Sequence, residues 1–202
     1  MQGGVGAMKK AKQWNELREE ARHCEACPLY RNATQTVFGE GPVNARIVFI
    51  GEQPGDQEDR AGRPFVGPAG RLLDRALGDA GIARTKCYVT NAVKHFKWVP
   101  KAKLRLHRSP NAHEIGACRP WWQREVDLIR PRFLVCLGGT AARAVFGRVV
   151  KILTERGKLL PNEWAGKTLV TVHPSSLLRA PDPARREEAY ARFVKDLRLL
   201  RA

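Results

Sequence analysis

Short apolar runs alternate with helical patterns along this chain, and a turn rich in glycine or polar residues follows each run. The apolar runs lie at residues 46–50, 87–93, 132–139 and 167–176. The helical patterns lie at 13–21, 69–80, 120–129, 140–147 and 184–200. Repeated strand–helix alternation predicts an α/β protein, namely a three-layer α/β/α fold with a central, mainly parallel four-stranded sheet.

The charge of the chain is strongly unbalanced. Thirty-six Lys and Arg against twenty Asp and Glu give a formal net charge of +16. Such an excess favours a polyanionic partner, above all nucleic acid, over a protein that is merely basic and soluble. From Lys94 to Arg108 there are six basic residues, two histidines, Phe96 and Trp98, and no acidic residue. We expect this stretch to contact nucleic-acid phosphates. Its aromatic residues are expected either to pack beneath it or to stack on bases, with packing preferred for Trp98.

Length and cysteine content bound the class of protein. The 202 residues suit one domain, 1–202, with a basic insertion near 97–110. The sequence shows no signal peptide and no apolar stretch of membrane-spanning length, so we expect a cytoplasmic protein without a membrane partner. An odd number of cysteines, five, then favours metal ligation or reduced thiols over disulfides.

Four loops follow the predicted strands and converge on one edge of the sheet. They are Gly51–Gly70, the residues after Asn91, Gly138–Gly139 and His173–Ser176. The carboxyl ends of parallel strands form the ligand sites of such folds. Glycines let the backbone approach a ligand closely. Plain turns are the alternative, but four such loops together favour a binding site.

Three motifs in these loops identify a family. The stretches GEQPGDQEDRAGRPFVGPAG, TNAVK and HPSSLLR, with the cysteine pattern, resemble the iron-sulfur uracil-DNA glycosylases of family 4 type from Cys24 to Arg179. More narrowly, Glu52-Gln53 and the insertion ending in His107 look like the UdgX branch, whose members become covalently attached to uracil-containing DNA. That branch commonly has K-R-R-I-H where this chain has Leu104 in place of one arginine.

Cysteine spacing alone does not distinguish a zinc site from an iron-sulfur cluster. It also does not show which of the five cysteines is not a ligand. Cys24 and Cys27 enclose two residues, whereas Cys118 and Cys136 lie far downstream with seventeen residues between them. The resemblance implies that these four hold a structural [4Fe-4S] cluster and that Cys87 is unligated.

The resemblance also implies how uracil is recognised. Asn91 reads the Watson-Crick edge of a flipped uracil, and Phe65 stacks on its ring. Gly51 and Gln53 contact the base and sugar, and His173 donates to uracil O2 as the base departs. Asp56 is predicted to bind substrate, with the alternative that Asp56 and Asp59 tether basic residues of the insertion.

His107 is the predicted nucleophile. A neutral imidazole can attack C1′ of the sugar after the base leaves, and surrounding cations are expected to hold His107 neutral. Glu52 is expected to accept a hydrogen bond from the other ring nitrogen and so fix the tautomer. The product is a histidine–C1′ bond and a single turnover. Without the resemblance, His107 would instead be read as a phosphate-contacting residue.

The remaining predictions concern DNA binding. The predicted DNA-binding residues are Lys103, Arg105, Arg108, Ser175 and Arg179. Leu177 and Leu178 are predicted either as wedges in the base stack or as core residues. His23, His95 and His113 are expected at the surface.

Three functions remain open on the sequence: a covalent single-turnover glycosylase, a multiple-turnover relative, and a non-catalytic nucleic-acid-binding module. The expected partner is uracil-containing DNA, with single strands tolerated or preferred, and the protein is expected to be a monomer.

Overall fold

The computed structural model describes residues 2–201, with side chains from residue 8 onward. The helices are α1 (Gln2–Arg22), α2 (Asp56–Ala61), α3 (Pro68–Asp79), α4 (Ala112–Ile129), α5 (Gly139–Phe146), α6 (Ile152–Glu155), α7 (Pro174–Leu178) and α8 (Pro183–Arg198). The strands are β1 (Ile47–Gly51), β2 (Cys87–Asn91), β3 (Trp98–Lys101), β4 (Leu104–His107), β5 (Phe133–Leu137), β6 (Lys158–Asn162) and β7 (Ala165–Thr171). None of the helices in this described part is long and apolar enough to cross a membrane.

The central sheet has five strands, in the order β2-β1-β5-β7-β6. The first four are parallel, and β6 pairs antiparallel with β7. The predicted α/β/α fold with a mainly parallel sheet is confirmed, but the predicted count of four strands is wrong. β6 escaped prediction because it is an edge strand whose sequence, KLLPN, contains a proline and lacks alternation.

Apolar clusters cover both faces of the sheet. One cluster joins the sheet to α4 and α5 and includes Ile50 and Trp122. The other joins it to α3 and α8 and includes Phe49, Leu73 and Phe193. Because successive strand residues point to opposite faces, neighbouring Phe49 and Ile50 enter different clusters. This burial on both sides explains why the strands read as continuous apolar runs.

Helix α4 begins eight residues earlier than the predicted 120–129, and Pro120 lies inside it. Its start is fixed by a capping box in which Asn111 Oδ1 accepts from the Glu114 N–H at 2.9 Å and Glu114 Oε2 accepts from the Asn111 N–H at 2.7 Å. The prediction took Pro120 for a helix start because proline is common there. The helix tolerates it in the interior instead.

Residues 98–107 form an antiparallel hairpin, β3–β4, which we call the basic hairpin. Trp98 pairs with His107 at its open end, and Ala102 takes a left-handed conformation (φ 51°) in its turn. The sequence had indicated only an irregular insertion. Trp98 packs as expected, with its indole N–H donating to the carbonyl of Asn32 at 2.8 Å.

Candidate active site

A cavity of about 1040 Å³ opens at the carboxyl ends of the parallel strands. Its lining includes Glu52, Gln53, Asp56, Phe65, Asn91, His107, His173, Ser175 and Arg179. A second cavity, of about 620 Å³, lies at the opposite end of the sheet and has no carboxylate or imidazole in its described lining. The groups suited to acid–base chemistry therefore meet in the larger cavity.

The floor of the cavity is built by close packing around Gly51. Gly51 ends β1 opposite Asn91, which ends β2 and is 3% exposed. A Cβ at Gly51 would collide with Oδ1 of Asn91 and would lie 2.7 Å from Cζ of Phe65. Phe65 has a left-handed backbone (φ 57°), and a Cβ at Gly70 would collide with its carbonyl. This strained, tightly supported backbone holds a phenyl ring beside an amide, an arrangement suited to a planar ligand.

His173 caps α7 and has a defined tautomer. Its Nδ1 accepts from the backbone N–H of Ser175 at 3.2 Å, and the Ser175 hydroxyl lies 2.8 Å from the same nitrogen. Burial lowers the pKa of His173 to about 4, with nearby Arg179 and His107 acting in the same direction and Glu52 opposing them. At neutral pH the ring is therefore uncharged and carries its proton on Nε2 as a hydrogen-bond donor.

His107 ends β4 and reaches the cavity with a half-exposed ring. Its Nε2 lies 2.9 Å from Nε2 of Gln53 and 3.5 Å from Oε1 of Glu52. Burial is the main cause that lowers the pKa of His107, with Arg179 adding to the effect and Glu52 opposing it. Surrounding cations were expected to keep His107 neutral. Burial is instead the main cause of its lowered pKa, and Arg179 is the one cation that contributes to the lowering.

Glu52 faces Nε2 of His107, the same ring nitrogen that Gln53 faces, and its predicted contact with the non-attacking nitrogen stays a prediction. The second carboxylate oxygen of Glu52 accepts from the Thr140 hydroxyl at 2.5 Å. Thr140 belongs to the first turn of α5, whose N-terminal partial charge favours a carboxylate. Sequence reasoning missed Thr140 because nothing local links it to Glu52.

The Gln53 amide, predicted to contact base and sugar, binds both ends of the basic hairpin. Its Oε1 accepts from the Lys97 N–H at 3.2 Å. Its Nε2 lies 2.9 Å from the Arg108 carbonyl and 3.2 Å from the Lys97 carbonyl, as well as near His107. Gln53 therefore holds the two strands of the hairpin together, and its two amide N–H groups are shared among the two carbonyls and the His107 ring.

Arg105 forms a latch between the basic hairpin and α2. Its guanidinium binds the carboxylates of Asp56 and Asp59, the latter at 2.6 Å, and stacks over the rings of Phe96 and Trp98. The side chain is only 14% exposed. Arg105 is therefore paired with Asp56 and Asp59, as in the tethering alternative, and its predicted contact with DNA would require this pairing to open. These partners are 46 to 49 residues apart, beyond any local signal.

Three other basic residues predicted to bind DNA are exposed: Lys103, Arg108 and Arg179. Ser175 is half-buried, and its polar groups contact His173. The structure separates the two leucines of the last motif. Leu177 is a core residue, 2% exposed, whereas Leu178 is 39% exposed and lines the mouth of the cavity.

Three of the four predicted cluster ligands lie together. The Trp121 indole N–H donates to Cys24 Sγ at 3.1 Å, and the Lys94 backbone N–H donates to Cys118 Sγ at 3.1 Å. A backbone N–H also donates to Cys27. Burial raises the pKa of Cys118 to about 12, and Cys24 and Cys27 add to the rise. N–H groups directed at sulfur stabilise bound thiolates, so these three residues fit a metal cluster.

The other two cysteines lie within the sheet. Cys136 is in the central strand β5, opposite Ile50 and Val170, and burial alone raises its pKa, with no contribution from another thiol. Cys87 is buried in the apolar cluster on the α3 face. Within residues 2–201, no three or more His, Cys, Asp or Glu side chains are arranged to hold a single metal ion.

His95 is 4% exposed, so the prediction that it lies at the surface is wrong. Its Nε2 lies 2.9 Å from the Thr36 hydroxyl, which donates to the Ala21 carbonyl near the end of α1. It also follows Lys94, whose backbone N–H donates to Cys118 Sγ. A basic stretch carries no signal that tells buried from exposed histidines. His23 and His113 are exposed, as predicted.

Comparisons with known proteins agree with this geometry. A family model described as the uracil DNA glycosylase superfamily matches residues 38–198. A Type-4 uracil-DNA glycosylase of Thermotoga maritima is 42% identical over 166 residues, which cover 81% of this chain and 82% of the relative. A Type-4 uracil-DNA glycosylase of Pyrobaculum aerophilum is 35% identical over 189 residues, 90% of each chain.

Proposed function

The chain belongs to the uracil DNA glycosylase superfamily, and on this premise we propose that it excises uracil from DNA and is then bonded covalently to the DNA through His107. The observation that carries the proposal is that His107 lines the same cavity as Asn91, Phe65 and His173. A UdgX-type protein fits best, because Gln53, which holds the basic hairpin, and His107, which ends it, are among the residues that resemble that branch.

The cavity suits a flipped uracil. A base must leave the stack, or be met in a single strand, before its glycosidic bond is accessible. The Asn91 amide offers one donor and one acceptor, which match O4 and N3–H of uracil but not the corresponding groups of cytosine. Phe65 supplies an aromatic face for stacking, and its supported backbone keeps the slot narrow.

Bond cleavage sends the electron pair of the glycosidic bond to the base. The Nε2–H of neutral His173 donates to O2, where negative charge develops, and the Ser175 contacts keep that proton on Nε2. The sugar is left cation-like at C1′. Glu52 lies close enough to His107 to stabilise this positive charge electrostatically.

Capture then uses the neutral ring of His107. The Gln53 amide N–H is directed at Nε2 and favours the tautomer whose lone pair is on that nitrogen. Once the ring moves off Gln53, this lone pair forms the bond to C1′. The imidazolium that results keeps its proton on Nδ1, and Glu52 balances its charge. In this proposal water does not displace the histidine from C1′, so one turnover ends the reaction.

The exposed cations around the cavity account for DNA affinity. Lys103, Arg108 and Arg179 are free to meet phosphates, and the overall charge of +16 attracts a polyanion. Binding of this kind is independent of sequence and weakens with salt. We expect single-stranded DNA to be accepted and the protein to act as a monomer.

A multiple-turnover glycosylase is the second candidate, favoured by the identity to proteins named Type-4 uracil-DNA glycosylase. In that case Glu52 would hold a water against C1′, and the hairpin would serve affinity alone. A non-catalytic binding module is the third candidate.

One experiment separates the three candidates. The protein is incubated with a uracil-containing single-stranded oligonucleotide and run on a denaturing gel. We expect a band of lower mobility that survives heating. Released abasic product without that band would support the second candidate, and neither product would support the third. An oligonucleotide with thymine in place of uracil is the control.

We also propose that a [4Fe-4S] cluster is held by Cys24, Cys27 and Cys118. Such a cluster would act as a structural staple between the end of α1, the segment after β2 and α4. Cys136 was the predicted fourth ligand, but it lies within β5 and no other thiol affects its pKa. We propose His95 instead, because His95 is buried and directly follows Lys94, whose backbone N–H donates to Cys118 Sγ.

Visible absorption and iron content test this ligand set independently of activity. We expect Cys24→Ser and His95→Ala to lose the absorption near 400 nm, and Cys136→Ala to keep it. Loss of iron in Cys136→Ala together with full iron in His95→Ala would restore the original assignment.

A further inference from the structure

A fully buried ion pair lies directly beneath the cavity. Lys94 and Glu125 both have 0% exposed side chains, and their charged groups are 2.5 Å apart. Taking each ion out of water costs several kcal/mol, and apolar residues of similar volume are often as stable in such a place. Stability alone therefore gives no reason for these two charges.

Glu125 is saturated with hydrogen-bond donors. Its Oε1 accepts from the Tyr88 hydroxyl at 2.8 Å and from the Gly39 N–H at 2.9 Å. Its Oε2 accepts from the Thr90 hydroxyl at 2.8 Å and from Lys94. The carboxylate is thus fixed in place and acts as a rigid anchor for the ammonium group.

Lys94 uses its three N–H groups on three different partners. Lys94 Nζ donates to the Glu125 carboxylate and to the Thr90 hydroxyl, and it donates to the backbone carbonyl of Asn91 at 3.1 Å. The last contact reaches the residue whose side chain forms the cavity floor. Asn91 is at the end of β2, which is an edge strand of the central sheet and pairs with β1.

We propose that Lys94 is a positioning residue for base recognition, which holds the Asn91 backbone so that its amide faces the bound uracil. This inference rests on the proposed function. The floor leaves little room for movement, because even a Cβ at Gly51 would collide with Asn91 Oδ1. A small shift of the Asn91 carbonyl would move the Asn91 side-chain amide out of hydrogen-bonding position with the base. Misplacement of a binding group by about 1 Å can lower the rate about a hundredfold.

The test is the double variant K94M/E125L, which removes both charges at similar volume. We expect it to fold with a melting temperature close to the wild-type value. We expect its rate of uracil release in a single turnover to fall about 10- to 100-fold. The DNA concentration at half-maximal rate should stay unchanged, because the exposed cations are untouched.

Tyr88→Phe is the matched control. It removes a hydrogen bond to the same carboxylate but leaves the contact between Lys94 and Asn91 intact, so its uracil release should match that of the wild type. If K94M/E125L does not fold, K94Q/E125Q replaces it, because glutamine is too short to reach the Asn91 carbonyl.

Two results would overturn the inference: a folded double variant that releases uracil at the wild-type rate, or a Tyr88→Phe rate as low as that of the double variant. Both outcomes differ from failure of the proposed function, in which the wild type itself releases no uracil.

Discussion

The residues proposed to recognise the base and the proposed nucleophile line one cavity, yet they are held by different kinds of structure. Gly51 and Asn91 end paired strands whose residues are buried on both faces. His107 ends the basic hairpin, which belongs to a separate two-stranded sheet and is fastened by the side chains of Arg105 and Gln53. The recognition half is thus fixed by the fold, and the capture half by a few polar contacts.

This difference implies that capture can be removed while recognition stays intact. The strand ends depend on main-chain pairing and on core packing, which a surface substitution leaves alone. The hairpin depends on a few side chains, namely Arg105, Gln53 and Trp98.

The largest effect is expected for His107→Ser. Adduct that survives hot denaturant should disappear completely, because serine has no ring nitrogen that reaches C1′. Uracil release should persist, with water beside Glu52 taking over the capture. His113→Ser, at an exposed histidine, should leave the adduct unchanged. A denaturing gel reads both products, and undiminished adduct in His107→Ser would refute the assignment.

Asn91→Ala should impair recognition and capture together. It removes two hydrogen bonds to the base, and we expect uracil release to fall about 100-fold. Adduct should fall by the same factor, because capture follows release. Single-turnover release of uracil measures the effect, with Asn44→Ala at an exposed asparagine as the control. A loss of adduct with normal release would show that Asn91 serves the hairpin instead.

Arg105→Met should loosen the hairpin selectively. It leaves the buried carboxylate of Asp59 without its cationic partner, and we expect adduct formation to slow about 10-fold relative to uracil release. Lys101→Met removes a charge from the same hairpin at an exposed position and should leave that ratio unchanged. Equal slowing of both steps in Arg105→Met would mean that the latch supports the whole cavity.

The pH dependence should show the smallest effect. Because burial lowers the pKa of His107 below 6.5, the neutral ring predominates at pH 6.5 and above, and adduct formation should decline only at more acidic pH. Acid then protonates the half-exposed His107 before it protonates His173, whose pKa is about 4. Adduct should therefore decline at a pH where uracil release is still maintained. Rates from pH 5 to 8 check this, and simultaneous loss would contradict it.

The sequence predicted that Gly51, Asn91 and His173 would converge at one edge of the sheet. It predicted the arrangement around His107 only in part. Gly51, Asn91 and His173 follow apolar runs, and strand ends in a parallel sheet meet at one edge, so their convergence has a local signal. The basic hairpin has none, because its strands are four residues long and largely exposed. The roles of Gln53 and Arg105 depend on partners more than 40 residues away.

The sequence also did not predict which polar side chains are buried. His95 lies in a basic stretch that reads as surface, and the Lys94–Glu125 pair joins residues that sequence patterns assign to exposed positions. Their burial is a property of how α4 packs against the end of β2. Edge strand β6 was missed for the related reason that its pairing partner, and not its own pattern, makes it a strand.

Arg179 lowers the pKa of both His107 and His173 in the free protein. A backbone phosphate that pairs with Arg179 would cancel part of this field. Both imidazoles would then become slightly more basic when a substrate is seated, while burial, the main cause of both lowered pKa values, would remain. A more basic ring is a stronger nucleophile, so the DNA itself would slightly increase the reactivity of His107.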